Sequence, residues 1–155
     1  MSAVLMCLAA ALTACGPPEI ESVDLDADER AACQALVDAL PDTLADLERG
    51  DVDPEDALGA AWGEPPIVLT CGAEEPEEYD DFSVCDEVLG VGWFAPPEQL
   101  EPEQQDEDAT VWAMSHRPLV EVEVPADYRP DGVANALAQL AEVVTANLDE
   151  VEACH

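Results

Sequence analysis

Six cysteines hold most of the chemistry this chain could perform, and their surroundings assign them different tasks. Cys15 closes "LTAC" at the end of an apolar run, residues 3–14, that finishes in small side chains. A run that short cannot span a bilayer and has the shape of a secretory signal core. An aliphatic residue, two small residues and a cysteine form a bacterial lipobox. Cys15 is therefore expected to receive diacylglycerol and become the mature N-terminus. The export pattern is incomplete in one respect, since no Lys or Arg precedes the run. Residues 1–14 are then a lipoprotein signal peptide, and residues 15–27, "CGPPEIESVDLDA", a flexible tether. Acyl chains on a single cysteine hold a protein firmly at a membrane once two or more are present.

Setting aside Cys7 with the signal and Cys15 with the lipid leaves Cys33, Cys71, Cys85 and Cys154. An even count in an exported chain implies two disulfides, with three pairings open. The local picture favours Cys71 with Cys85 and Cys33 with Cys154, worth about 3 and about 5 kcal/mol on loop entropy. A four-cysteine zinc site needs two closely spaced pairs, and Cys71 and Cys85 are too far apart to form one. A thiol nucleophile needs an unpaired cysteine beside a histidine, so neither metal nor cysteine catalysis is expected.

Other catalytic patterns are thin. His116 is the one credible base, His155 is the last residue, and no serine sits in a "GxSxG" elbow. Paired carboxylates could serve glycoside hydrolysis, but with 37 acids any two can lie close, so proximity carries no signal. "DLDADERAACQA" from Asp24 has acids at calcium-loop positions one, three and five, yet lacks the glycine and the final glutamate of an EF-hand. No cofactor motif is present, and residues 74–87 read as a solvated acidic run.

Those residues must be positioned by a chain of unusual charge. Its 155 residues carry 37 Asp and Glu against Arg30, Arg49, Arg117 and Arg129, a net charge of -33 with no lysine. Nucleic-acid binding is excluded, because counterion release requires a basic surface. Anionic lipid headgroups are repelled as well, which leaves covalent lipid as the route to a membrane. The acids are interspersed with periodic apolar segments, so they form a shell around one core of ordinary size rather than a disordered tail. Such a shell suits a salt-rich external medium.

Apolar spacing predicts a helix from near Asp28 carrying Cys33, Leu36, Val37 and Leu40. Pro41 interrupts it, and a short second helix with Leu44 and Leu47 inward is expected to end at Gly50. A helical turn is expected around Pro54–Ala61. Strands are expected at 67–71, 88–94, 110–115 and 119–124, with "SHRP" as a hairpin turn between the last two. A helix from Asp131, as N-cap, to Glu152 would bury Val133, Leu137, Leu140, Val144, Leu148 and Val151. The expected fold is α+β: an antiparallel sheet of about four strands, N- and C-terminal helices on one face, two disulfides, and one domain over residues 28–155.

"WGEPPIVLTCG", residues 62–72, fits this frame as a brace, with Trp62 as an anchor, the prolines as a rigid entry to the strand and Cys71 as a staple. Its functional alternative is a groove in which Trp62, Trp93 and Arg117 receive a polymer or peptide. Together with "CQALVDALPDTLADLERG", "GVGWF", "HRPLVEVEVP" and "DYRPDGVANALAQLAEVV", the stretch resembles a family of small actinobacterial exported proteins and lipoproteins known as a domain of unknown function. The resemblance spans Cys33 to Cys154 and rests most on Trp62, Gly63, Pro66, Cys71, Gly72, Gly90, Trp93, Arg117 and Pro125. It implies an envelope location and an actinobacterial host, and no activity. The sequence reads as a lipid-anchored binding or accessory protein on the outer face of the cytoplasmic membrane, its partner an envelope protein or a cell-wall component. The rivals are an envelope enzyme acting on glycan or peptide through carboxylates, and a surface binder of divalent cations.

Overall fold

The computed structural model describes residues 16–152. The expected signal peptide, Cys15 and Cys154 lie outside the described residues.

Helix α1 spans Ala27–Ala39, and its first turn shows why it starts there. Asp26 accepts hydrogen bonds from the Asp28 and Glu29 backbone N–H groups while the Glu29 carboxylate returns to the Asp26 N–H, a reciprocal cap. The strands are β1 (Thr43–Leu44), β2 (Leu47–Gly50), β3 (Gly59–Trp62), β4 (Ile67–Cys71), β5 (Asp86–Val88), β6 (Val91–Phe94), β7 (Ala109–Ala113), β8 (His116–Arg117), β9 (Val120–Val124) and β10 (Asp149–Glu150), with helix α2 (Asp131–Asn147) before β10. Eight strands form one antiparallel sheet in the order β1-β2-β3-β4-β9-β7-β6-β5, and β8 pairs with β10 apart from it. The class is α+β as expected, but the sheet is twice the expected size.

Three differences account for the larger sheet, and a fourth adds a strand outside it. Leu44 and Leu47 are spaced like neighbours on a helix, yet they face each other across a two-residue turn in which Ala45 and Asp46 have φ of 50° and 66°. The expected second helix is thus the β1–β2 hairpin. The single strand expected at 88–94 is likewise a hairpin, folded at Leu89 and Gly90, both at positive φ. Such turns match the right-handed twist of paired strands. Gly59–Trp62, expected near a helical turn, is a strand between β2 and β4. A Cβ on Gly59 would collide with the Leu69 carbonyl, so the close approach of these strands requires glycine. The last helix stops at Asn147 with Pro130, not Asp131, at its cap position, and the chain then pairs with β8.

Both helices cover one face of the sheet. Leu36, Leu40, Leu137, Leu140 and Val144 pack onto Trp62, Ile67, Leu69, Val111, Val120 and Val122 in a single core. On the opposite face Phe94, Trp112, Met114 and Leu119 form a smaller cluster beneath Ala73, Tyr79 and Cys85.

Among the described residues the structure holds one disulfide, not two, and it joins Cys33 to Cys71. Both expected pairings, Cys71 with Cys85 and Cys33 with Cys154, are therefore overturned. The reason is the layering: Cys33 faces down from α1 and Cys71 faces up from β4, both fully buried, with Cα atoms 5.5 Å apart. Cys85 is oxidised as well, its bond leading outside the described residues.

The stretch expected as a tether is held from Pro18 onward. Ile20 is buried and donates its N–H to the Asp53 carbonyl, the Asp53 N–H donates to that of Pro18, Ser22 Oγ donates to the Cys71 carbonyl and the Val23 N–H to that of Gly72.

Candidate functional site

The three residues expected to share a groove are separated. Trp62 is fully buried, donates its indole N–H to the Pro41 carbonyl at 3.0 Å, and carries the Arg49 guanidinium 6.0 Å from its ring centroid. Arg49 also donates to the Val37 and Leu40 carbonyls at the end of α1. Trp62 is therefore a brace between helix and sheet. Trp93 is buried too, and β4, β9 and β7 lie between its strand and that of Trp62. Arg117 bonds the Met114 and His116 carbonyls and meets Glu75 at 3.6 Å.

His116 is buried at 2% exposure, and its Nδ1 lies 2.9 Å from Ser115 Oγ. That hydroxyl already accepts the Gly92 N–H at 2.7 Å, so its proton is free for the imidazole. The pair joins β6 to the β8–β10 ribbon. Burial lowers the His116 pKa, with the Glu150 charge acting in the opposite direction.

The described residues form several concave regions, two of which hold a carboxyl with a shifted pKa or an arginine whose Nε–H is buried without a partner. The first, about 510 Å³, lies on the sheet face opposite the helices, where Glu121 and Glu123 of β9 meet Glu19, Glu21, Glu74 and Thr70. Burial raises the Glu121 pKa, and the neighbouring Glu123 charge adds to the shift. The Trp112 indole N–H faces Glu121 across the ladder and offsets part of this, although the pair falls short of full hydrogen-bond geometry. Among the described residues no three His, Cys, Asp or Glu side chains converge to hold a metal ion.

The second is a pocket of about 300 Å³ between the start of α2 and the β5–β6–β7 end of the sheet. Val88, Leu100, Val111, Val133 and Leu137 supply an apolar lining, with Asp86 at the rim and Arg129 in the wall. Arg129 ties the segment 97–107 against the domain, donating from Nη1 to the Gln104 and Glu107 carbonyls and from Nη2 to that of Gln99, at 2.6–2.8 Å. Its Nε–H is buried without any partner. An apolar pocket with a few polar side chains in its wall, here Asp86, Gln99, Gln105 and Arg129, is the ordinary form of a small-ligand site.

The model of a family of proteins of unknown function, DUF3515, matches residues 1–153. This chain belongs to that family. No curated protein and no solved structure matches it. In this DUF3515 member, sequence reading had singled out neither Arg129 nor Glu121. Cation scarcity drew notice to Arg117 and applied equally to Arg129. Glu121 read simply as the solvent side of an alternating strand. Among the described residues no helix is long and apolar enough to cross a membrane.

Proposed function

We propose that this chain is a lipid-anchored binding module on the outer face of the bacterial cytoplasmic membrane, in an actinobacterial envelope, with no reaction of its own. The observation that carries the binding reading is the apolar pocket under α2, with Arg129 in its wall. Export is supported by the buried Cys33–Cys71 disulfide, because such bonds persist in oxidising compartments. Attachment through Cys15 is supported by "LTAC". The module would hold its ligand for an envelope or cell-wall partner.

Two measurements test this. Cys15→Ser is expected to abolish lipid labelling and release the protein from membranes; a variant that stays labelled would end the anchor proposal. Thermal unfolding with small amphiphiles and cell-wall fragments is expected to show at least one ligand raising the midpoint, by about 2.7 kcal/mol of stabilisation at a hundredfold excess over Kd. A second reading is favoured by Glu121: a half-buried carboxyl with a raised pKa beside Glu123 has the properties of a general acid acting on glycan. Turnover of a glycan panel that is lost in Glu121→Gln would establish it.

A further inference from the structure

Resting on the anchor reading, we propose that the domain sits directly on the bilayer instead of hanging from a tether, with the surface around Pro18, Asp51, Asp53 and Glu64 facing the lipid headgroups. The segment that follows Cys15 is built into the fold almost at once. The Asp53 N–H donates to the Pro18 carbonyl and the Ile20 N–H to that of Asp53, both at 2.9 Å, so that Glu19 pairs with Asp53 in a parallel bridge. Ile20 is 4% exposed, and the bare Gly59 beneath it leaves room for its side chain. Further on, Ser22 and Val23 bond the Cys71 and Gly72 carbonyls, and Leu25 lies over Gly72. Only Gly16 and Pro17 separate Cys15 from the first bonded residue, and both line a hollow of about 280 Å³ with Asp51, Gly63 and Glu64.

The length of that leash sets the placement. Three residue steps, from Cys15 to Pro18, span at most about 10 Å. Acyl chains on the cysteine lie in the hydrocarbon, and the headgroup layer above them takes up about 5–8 Å of the span. Pro18 is therefore held within a few ångströms of the headgroup surface, and the residues bonded to it or beside it are held there too. Charge keeps the contact confined to this end. Asp51, Asp53 and Glu64 are exposed around the attachment point, and a net charge of -33 resists any wider contact with anionic headgroups. β5 lies five ladder steps from β3, roughly 24 Å across the sheet, so the exposed Glu87 is carried clear of the lipid.

Fluorescence quenching by lipids with nitroxide headgroups, which act only near contact, tests the placement on the lipidated full-length protein in vesicles of phosphatidylcholine and phosphatidylglycerol. A fluorophore on Glu64→Cys should lose at least about three times the share of its emission lost by one on Glu87→Cys, since the two exposed sites are separated by roughly 24 Å of sheet. Inserting about twelve Gly and Ser residues between Gly16 and Pro17 adds roughly 20 Å of reach and should bring the Glu64 signal down to the Glu87 value. The unfolding midpoint of the insertion variant in detergent should match that of the parent, because the bonded strap from Pro18 onward is intact. Equal quenching at the two sites, or a Glu64 signal indifferent to the insertion, would overturn the placement while leaving the anchor. Absence of lipid on Cys15 in the intact mass would overturn the anchor reading, and the placement with it.

Discussion

Side chains here act mainly by ending up where one partner, and no other, can satisfy them. Trp62 shows the pattern: its ring is in the core, its N–H reaches Pro41 and its face carries Arg49. Trp62→Phe keeps most of the apolar contact but leaves the Pro41 carbonyl without its donor and offers the Arg49 guanidinium a weaker aromatic face. A loss of about 1–3 kcal/mol is expected in urea unfolding. Glu121 shows the converse, a carboxylate held where its charged form is disfavoured. Its folded pKa is raised, so its contribution favours the fold below the ordinary carboxylate pKa and is lost as pH rises through the folded value. Glu121→Gln should therefore unfold at a higher temperature than the parent at pH 7, and the gap should close as pH falls below 4.5. A gap independent of pH would show that Glu121 bears no such penalty. Trp62 was legible as a brace because a tryptophan between a glycine turn and a short apolar run has few other uses. The Glu121 environment was not, since its burial comes from the segment around Glu19 and from Trp112 across the ladder, neither near it in sequence.

Elements were legible where one periodicity stood alone and were misread where a spacing fitted two. The alternation of Val120, Val122 and Val124 placed β9 correctly, and Cys33, Leu36 and Val37 placed α1. A step of three from Leu44 to Leu47 satisfies a helix and a tight hairpin equally. Ala45 and Asp46 offer none of the Asn-Gly chemistry that would have decided it. That ambiguity has an energetic consequence, because alanine in the left-handed region costs about 1–2 kcal/mol. Replacing Ala45-Asp46 with Asn-Gly should stabilise the protein by about 1–2 kcal/mol without changing its circular dichroism; destabilisation would mean that the turn geometry is wrong. The β8–β10 ribbon carries a different dependence. The His116 pKa is lowered in the fold, so its contribution is complete above the ordinary value of 6.5 and declines as pH falls through that value toward the folded one. Amide exchange at Val151, whose N–H is bonded to the Ser115 carbonyl, should speed up between pH 7.5 and pH 5 once the intrinsic rate is corrected for. Exchange that stays constant would separate His116 from the docking of β10.

At the scale of the whole molecule, the buried Cys33–Cys71 disulfide and the core around it must hold together a shell with a net charge of -33. Cys33–Cys71 crosses between the helix layer and the sheet at a sequence separation of 38, worth about 4 kcal/mol on loop entropy. The sequence showed that four cysteines remained to be paired, but the correct pair depended on which strand lies beneath α1, a fact of topology that spacing does not encode. The charge, by contrast, was fully legible, and its consequence follows without topology. Repulsion among exposed carboxylates acts over a Debye length of about 30 Å at 0.01 M salt and about 3 Å at 1 M. With the single described ion pair between Arg117 and Glu75 half-exposed, almost none of that repulsion is relieved within the protein. The unfolding midpoint should therefore rise steeply between 0.01 M and 1 M potassium chloride and level off once the screening length falls below the spacing of neighbouring acids. Potassium and sodium should act alike at equal ionic strength if screening is the cause. A midpoint that responds instead to submillimolar calcium at constant ionic strength would replace screening with specific cation binding, and would put the glutamates around Glu121 to a use that their geometry does not by itself assign.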